Sequence, residues 1–376
     1  MQISQNIKLG ILGGGQLGSM LIRSAIDFGL NVSVMDKDPN ATCARYTSSF
    51  TNGSLLDYDA VVNFGKDKDI VTIEIEAVNV DALEALEKQG VKVYPSPAII
   101  RMVQDKYEQK KALMQFGVPV MPGVLINNKE ELNSYKEKLP ACLKLCRDGY
   151  DGRGVMILKS EQDIAGAFDK PSVLEDLASI KYEIAVIVSR NTKGEVSTFD
   201  PVMMIFDNER NILDYQLCPA NISKEQEKKA REMAAKIGEG LGLVGILAVE
   251  MFVTTDDKIV INELAPRPHN SGHHSIEGCV TSQYEQHIRA MLGLPLGDTS
   301  YTQPSVMVNL LEPHLSKKED FEEAIQTSVS ISGSHLHWYG KKGGSEGRKM
   351  GHVTILGSTI EDAENKAQKI RQLLKK

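Results

Sequence analysis

The chain has 376 residues, enough for two or three domains, and its 41% hydrophobic and 25% charged residues are ordinary for a soluble globular protein. A net charge of −7 without a long basic run excludes nucleic acid as an expected partner. Five cysteines without a CxxC pair argue against a disulfide framework or a zinc site. With no signal peptide and no long apolar stretch, we expect a cytoplasmic protein that does not bind membranes.

Residues 1–103 have the pattern of a Rossmann-like α/β domain. A buried strand runs into the glycine-rich turn GGGQLG at 13–18, a helix follows from about Ser19 to Phe28, and the next strand ends in Asp36. This is the spacing of a dinucleotide-binding turn. Taken alone, the motif could bind NAD or a phosphosugar, or it could form only a tight turn between strand and helix.

Two acids and a long helix come next. The run DIVTIEIEAVN places Glu74 and Glu76 on one face of a strand, where they either approach a ligand or form a polar edge. A helix capped by Ser96 is predicted to continue to Gly117. It carries Lys106, which by itself indicates only a solvated lysine.

Residues 104–298 are predicted to form a second domain, whose part from about 120 to 190 consists of short strands and turns. One strand carries Lys144 and leads into the glycine-rich hairpin loop DGYDGRG. Such a loop can close over phosphates and offer backbone N–H donors, while the lysine supplies a point charge. Two further strands carry Glu175 and Glu183.

The most informative stretch is a predicted antiparallel hairpin made of the apolar runs ILAVEMFV and IVINEL. Each run contains one acid, and a turn centred on Asp256–Asp257 places Glu250 opposite Glu263. At ~5 Å and an effective dielectric of ~20 the two charges repel by roughly 3 kcal/mol. A Mg²⁺ ion shared with substrate phosphates, with Asn262 close by, would offset this. The alternative is a salt-bridged pair on a hydrated strand.

Cationic and polar groups follow the hairpin. The next loop contains donors that can bind oxyanions, namely Arg267, His269, Asn270, His273 and His274. A metal beside such donors indicates phosphoryl transfer. Residues 299–376 are predicted to form a small α+β domain with a basic, glycine-rich turn that includes Lys341 and Arg348. This turn suits either a phosphate or an exposed hairpin tip.

Taken together, these segments resemble the ATP-grasp superfamily and, within it, the 5-(carboxyamino)imidazole ribonucleotide synthases of purine biosynthesis. The resemblance rests on GGGQLG, TIEIE, YPSP, GYDGRG, NELAPR-x-HNSGH, HLHWYGK and GRKMGH, which occur in order between residues 13 and 352. It implies an α/β and α+β protein: an ATP-grasp fold with an N-terminal Rossmann-like pre-ATP-grasp domain and a small C-terminal domain.

The activity implied by the resemblance is the ATP- and bicarbonate-dependent carboxylation of 5-aminoimidazole ribonucleotide (AIR) through carboxyphosphate. The implied assembly is a homodimer. The resemblance also implies the metal ligands for Mg²⁺, which are Glu250 and Glu263.

The same resemblance implies a role for each matching side chain. The expected ATP contacts are Lys106, Lys144, Gly149, Tyr150, Asp151, Gly152, Arg153, Gly154, Glu175, Asp176, Leu177, Ala178, Glu183, Asn262 and Glu263. The expected AIR contacts are Gly15, Gln16, Glu76, Tyr150, Arg153, Lys341 and Arg348. Arg267 and His269 are expected beside bicarbonate and the transferred phosphate, and the candidates for the base are His273 and Asp151.

Two departures and three alternatives remain. Asp148 stands where the family has the first glycine of GGYDGRG, and Lys106 stands where some relatives have arginine, which changes the phosphate-binding geometry. The alternative activities are a sister ligase that uses formate, an NAD-dependent oxidoreductase, and a nucleotide-binding module without catalysis.

Overall fold

The structure is a computed structural model that describes residues 6–149, 154–207, 212–313, 318–342 and 346–375. Four of the residues expected at the site lie outside the described part: Tyr150, Asp151, Gly152 and Arg153. None of the described helices has the length and apolarity needed to cross a membrane.

The described strands form three sheets. They are β1 (Lys8–Leu12), β2 (Asn31–Asp36), β3 (Phe50–Asn52), β4 (Ile70–Ile73), β5 (Lys92–Tyr94), β6 (Gly123–Ile126), β7 (Ala141–Leu145), β8 (Val155–Leu158), β9 (Ser172–Asp176), β10 (Ile180–Arg190), β11 (Val196–Thr198), β12 (Val202–Asp207), β13 (Ile212–Cys218), β14 (Gly245–Thr254), β15 (Ile259–Ala265), β16 (Ser305–Leu311), β17 (Ser334–Trp338) and β18 (Lys349–Leu356).

Helices connect and cover these sheets. They are α1 (Gln16–Asp27), α2 (Tyr58–Gly65), α3 (Val80–Lys88), α4 (Pro97–Val103), α5 (Lys106–Gln115), α6 (Lys224–Gly240), α7 (Ser275–Gly278), α8 (Gln283–Leu292), α9 (Lys318–Ser330) and α10 (Ile360–Lys375). Short 3-10 segments are found at Thr42–Arg45, Lys129–Lys138, Glu161–Gly166 and Asn270–Gly272.

The N-terminal sheet is parallel, with strand order β3-β2-β1-β4-β5, as a Rossmann-like domain requires. Two details differ from the predictions. Helix α1 begins at Gln16 rather than near Ser19, and strand β4 ends at Ile73. Glu74 and Glu76 therefore lie in the loop after the strand and not on one face of it. The physical reason is that the Glu74 carboxylate turns toward the N–H groups at the start of α1.

The helix predicted from Ser96 to Gly117 is two helices, α4 and α5. Asp105 interrupts it, because its carboxylate accepts hydrogen bonds from the N–H groups of Tyr107 and Glu108, at 3.0 and 3.3 Å, and so caps α5. This break makes Lys106 the first residue of α5 and turns that helix end toward the hairpin.

Replacing Asp105 with alanine should cost about 1 kcal/mol of stability, because two N–H groups lose their cap. The same carboxylate accepts a hydrogen bond from Arg147 at 3.1 Å. Urea unfolding of the variant measures this cost. An unchanged midpoint would mean that water caps the helix equally well.

A four-stranded antiparallel sheet, with order β6-β9-β7-β8, forms the part predicted as short strands from about 120 to 190. Lys144 pairs with Val155 across β7 and β8, which confirms the hairpin predicted around the glycine-rich loop. A small apolar core that includes Leu143, Leu158 and Leu174 holds this sheet together.

Nine of the described strands form the central sheet, along the path β15-β14-β10-β12-β13-β16-β18-β17 with β11 beside β10. One face packs on α6, α9 and α10 through two apolar clusters. The C-terminal strands join this sheet, since β16 pairs with β13. The predicted C-terminal unit therefore extends the central sheet, while the domain boundaries at 103/104 and 298/299 remain predictions.

The hairpin of β14 and β15 has the predicted pairing at the acids, where Glu250 lies opposite Glu263. The predicted turn centre is wrong. Val253 pairs with Ile259, so the turn is a three-residue loop centred on Asp256, with left-handed backbone at the next residue. A bulge at Asn262 adds one residue to β15 and restores the predicted register at the acids.

Candidate active site

Three carboxylates lie on the same face of the central sheet, opposite the face that packs on α6, α9 and α10. Glu250 pairs with Glu263 on one side and with Ala185 on the other, and Glu183 lies two residues from Ala185 on β10. Burial, followed by the charge of Glu263, raises the pKa of Glu250 to about 8. Burial likewise raises the pKa of Glu183 to about 7, although Lys144 works against it.

These acids fit a magnesium ion. Carboxylate and amide oxygens are the donors that Mg²⁺ prefers, and Glu250, Glu263 and Asn262 supply them within one bulged hairpin. In the described part of the chain no group of three His, Cys, Asp or Glu side chains could hold a metal alone. A few protein ligands completed by substrate phosphates and water is the usual coordination of this ion.

Two lysines from separate elements approach the hairpin. The ammonium group of Lys106, on α5, lies 2.5 Å from a Glu263 oxygen. The ammonium group of Lys144, on β7, lies 3.0 Å from the Asn262 amide oxygen. The two lysines therefore approach adjoining residues, which is the convergence that a site for phosphates requires.

Glu175, which the resemblance places beside adenine, lies between two lysines. Only 7% of it is exposed, and its two oxygens contact Lys110 at 2.7 Å and Lys144 at 2.8 Å. Burial works against its charge, but the two lysines outweigh burial and lower its pKa. Glu175 therefore positions Lys144. Sequence reasoning missed Lys110, which the i, i+4 spacing from Lys106 could have revealed.

The other residues expected around adenine and ribose follow Glu175 along the chain. Asp176 lies 3.5 Å from Lys138, Leu177 is 43% exposed, and Ala178 is partly buried in the connection to β10. An exposed leucine suits contact with a flat base, and all three positions stay predictions for ATP.

Replacing Lys144 with methionine should lower stability by about 2 kcal/mol, because Glu175 would keep only one of its two buried partners. The double change with Glu175→Gln should cost less than the sum of the single changes. Chemical unfolding of the three variants measures this coupling. Strict additivity would contradict the ion pair.

Arg267 and His269 each contact an acid of the site. The Arg267 Nε lies 2.9 Å from Glu76, and the His269 Nε2 lies 3.5 Å from Glu250. The backbone N–H of Ser271 donates to His269 Nδ1 at 3.3 Å, which assigns the ring proton to Nε2. Burial holds the pKa of His269 well below its usual value. The neutral ring thus presents an N–H donor toward the acids.

His273, the candidate base, lies in a buried cluster of aromatic rings. It is 1% exposed, its Nδ1 lies 3.2 Å from the Tyr284 hydroxyl, and its ring stacks on His352 at 4.5 Å. These contacts favour a structural role for His273. Asp151, the other candidate base, lies outside the described residues.

The basic turn between β17 and β18 folds back on itself. Lys341 donates to the backbone oxygen of Lys349 at 2.8 Å, and Arg348 donates to that of Lys342 at 3.2 Å. The charge of Lys349 contributes to lowering the pKa of His269, after burial and Arg267. Lys349, a member of the predicted basic turn that was given no ligand, is therefore also a cation of the site.

The glycine-rich turn of the N-terminal domain is already bonded to side chains. The Glu74 carboxylate accepts from the N–H groups of Gly15 at 2.5 Å and Leu17 at 3.1 Å, and Asp36 accepts from Gly14 at 2.7 Å. These are the donors that would hold a dinucleotide phosphate. The structure thus favours the structural turn over an NAD site. It leaves the AIR contacts of Gly15 and Gln16 as predictions.

Three family models match consecutive parts of the chain. They are a ribonucleotide synthetase preATP-grasp domain over residues 6–104, an ATP-grasp domain over 111–284 and a phosphoribosylaminoimidazole carboxylase C-terminal domain over 305–366. The N5-carboxyaminoimidazole ribonucleotide synthase of Bacillus subtilis (strain 168) is 39% identical over 93% of this chain and 91% of its own length.

The chain belongs to the N5-carboxyaminoimidazole ribonucleotide synthase family. Solved members of this family have the same fold. A synthetase from Thermotoga maritima is 37% identical, with a TM-score of 0.88 over 98% of both chains. A synthase from Aspergillus clavatus in complex with ADP and 5-aminoimidazole ribonucleotide is 35% identical, with a TM-score of 0.91 over 99% of both chains.

The family assignment confirms the predicted ATP-grasp fold with its N-terminal and C-terminal additions, and it confirms an ATP-dependent ligase. Two observations argue against the oxidoreductase alternative. The family is a ligase family, and the Glu74 carboxylate already accepts the N–H groups of the turn GGGQLG.

Proposed function

We propose that this protein uses ATP and bicarbonate to carboxylate the exocyclic amine of AIR, forming N5-carboxyaminoimidazole ribonucleotide in de novo purine biosynthesis. The observation that carries the proposal is the pairing of Glu250 with Glu263 beneath two converging lysines. The chain has this arrangement within a family whose relatives are named for the product and include a complex with ADP and AIR.

In the first step bicarbonate attacks the γ-phosphate of ATP, which gives carboxyphosphate and ADP. Lys106 and Lys144, which both contact the hairpin, would neutralise phosphate oxygens, and the neutral His269 would offer an N–H donor to an oxyanion. Glu250, Glu263 and Asn262 would hold Mg²⁺, which when bound supplies positive charge against the phosphates.

In the second step the amine of AIR captures the carboxyl group of carboxyphosphate, or CO₂ released from it in place, and phosphate leaves. Arg267 and Glu76 form an ion pair at 2.9 Å. When the substrates bind, Arg267 would turn to bicarbonate and Glu76 to AIR. Lys341 and Arg348 would take the 5′-phosphate of AIR. Water must be excluded because carboxyphosphate hydrolyses in it. We assign the exclusion of water to the loop DGYDGRG.

Three cations of the site are each paired with a nearby acid. Lys106 contacts Glu263, Lys144 contacts Glu175, and Arg267 contacts Glu76. Anionic substrates therefore exchange existing ion pairs instead of meeting unpaired buried charge. Such preorganisation lowers the cost of binding several anions together.

Labelled bicarbonate tests the proposed product. With ¹³C-bicarbonate, ATP, Mg²⁺ and AIR, we expect one new carbamate carbon signal on AIR for each ADP formed. Unlabelled formate in place of bicarbonate should give neither product nor ADP. Formyl transfer from formate would support the sister-ligase alternative and contradict the proposal.

The proposed homodimer rests on the family resemblance. Sedimentation of the full chain at micromolar concentration is expected to give twice the 41.4 kDa chain mass. A monomer at that concentration would contradict it.

A further inference from the structure

Three histidines form a buried stack beside the proposed site. The ring centroids of His273 and His352 lie 4.5 Å apart, and those of His352 and His337 lie 4.4 Å apart with only 7° between the ring planes. The exposed fractions of the three residues are 1%, 0% and 8%. We call these three residues the histidine stack. None of them is needed by the two chemical steps described above.

The histidine stack is bonded at its edges to groups from distant parts of the chain. Arg23, on α1 of the N-terminal domain, lies 3.2 Å from His337 Nδ1, and Glu277 lies 2.8 Å from His337 Nε2. At the other end, the Tyr284 hydroxyl contacts His273 at 3.2 Å. The stack is therefore the meeting point of the N-terminal domain, the loop after the acid pair and the C-terminal hairpin.

The C-terminal hairpin is held at this point by one further residue. The Tyr339 hydroxyl lies 2.8 Å from His352 Nδ1, joining β18 to the chain directly after β17. Tyr339 is 4% exposed and packs in the core of the N-terminal domain with Leu17 and Leu21 of α1. Arg45 adds a hydrogen bond to the backbone oxygen of Gly340 at 2.7 Å.

The position of the stack fixes two groups of the site relative to each other. His273 lies four residues after His269, which faces Glu250. His352 lies three residues after Lys349 and four after Arg348, and the chain leaves Tyr339 toward Lys341. Stacked rings cannot slide past each other without losing buried contact area. The hydrogen bonds at their edges prevent each ring from rotating in its own plane. The stack therefore sets the distance between the basic turn and the acid pair.

We propose that His273, His352 and His337 are positioning residues that hold the basic turn, with Lys341, Arg348 and Lys349, at the spacing AIR needs between its phosphate and its reacting amine. This inference rests on the proposed function. It predicts that loosening the stack weakens binding of AIR while leaving ATP, which contacts other elements, unaffected.

The chain offers a direct probe, because its only tryptophan, Trp338, lies on β17 between His337 and Tyr339. Its side chain is 43% exposed and packs against Phe321. Its fluorescence during a titration with AIR reports binding without turnover. We expect AIR to bind His352→Leu about tenfold more weakly than wild type, since a small displacement of a binding group has an effect of this size or larger.

Matched variants separate positioning from a general loss of structure. His352→Phe keeps a ring in the stack and should restore most of the AIR affinity. His335→Ala removes an exposed histidine from the same hairpin and should match wild type. Dissociation constants for ATP, measured by calorimetry, should stay within about twofold in every variant. If His352→Leu does not fold, Tyr339→Phe supplies the comparison, with a smaller rise in the AIR dissociation constant.

Different outcomes overturn different claims. Wild-type protein that binds no AIR overturns the proposed function, and this inference falls with it. Wild type and His352→Leu that bind AIR equally well overturn the inference alone. Equal weakening of AIR and ATP in His352→Leu also overturns it, because that result indicates general loosening of the fold.

Discussion

Replacing Glu263 with glutamine is expected to lower the rate of ADP release at least about 100-fold, which is the usual effect of removing one charge-stabilising group from an active site. The substitution keeps the shape of the side chain but removes the charge that faces Glu250 and contacts Lys106 at 2.5 Å. Both the proposed metal site and the placement of Lys106 depend on that charge.

The matched control for this variant is Glu285→Gln. Glu285 is also an acid paired with a cation, Arg289, but it lies on α8 with its partner one turn away. Its replacement should leave ADP release within about twofold, as surface ion pairs contribute little. Near-normal turnover in the Glu263 variant would refute the assignment of the acid pair as the metal site.

Replacing Glu250 with glutamine should have opposite effects on activity and on stability. Burial and Glu263 raise the pKa of Glu250 to about 8 in the folded protein, from 4.5 in a model peptide. An acid with a raised folded-state pKa is ionised more easily in the unfolded chain. Its contribution to stability therefore falls as pH rises from 4.5 to 8, by up to about 5 kcal/mol.

The glutamine variant cannot lose that stability, since it has no carboxyl group to ionise. In EDTA at pH 9 we expect the Glu250→Gln variant to be more stable than wild type by several kcal/mol, approaching ~5. At pH 4.5 the two proteins should differ little. Urea unfolding at both pH values measures the difference, and the ADP release of the variant should be lost. Equal stability of the two proteins at pH 9 would show that the pKa of Glu250 is not raised in the folded protein.

The raised pKa of Glu250 also explains why such an acid pair persists in a folded protein. At neutral pH the raised pKa keeps a proton on Glu250, so the repulsion expected between two opposed carboxylates is largely avoided. A divalent cation would displace that proton. Burying the two acids lowers the stability of the folded protein, and the same burial prepares them to bind a metal ion.

Local patterns in the sequence determine much of this site. Alternating apolar residues and a polar turn were sufficient to predict the hairpin and the pairing of Glu250 with Glu263. The route to that pairing was wrong, because the turn centre and the bulge at Asn262 shift the register in opposite directions. A bulge depends on what the extra residue contacts, here Lys144 from another sheet, and no local pattern encodes that.

Long-range contacts determine the surroundings of several other predicted residues. The glycine-rich turn had the spacing of a phosphate site, but a carboxylate 59 residues away along the chain, that of Glu74, accepts its N–H groups. Glu175, which is predicted to line adenine, bridges Lys110 and Lys144. His273, which is predicted as a candidate base, stacks on His352 from the C-terminal hairpin. Each of these side chains has its partner in an element whose position only the folded chain reveals.

ADP release measured with ATP and Mg²⁺, with and without bicarbonate and AIR, tests the central claim most directly. The account predicts rapid ADP release only when ATP, bicarbonate and AIR are all present, with a stoichiometry of one ADP for each AIR consumed. Release at the same rate in bicarbonate-free buffer, or no release in the complete mixture, would contradict it.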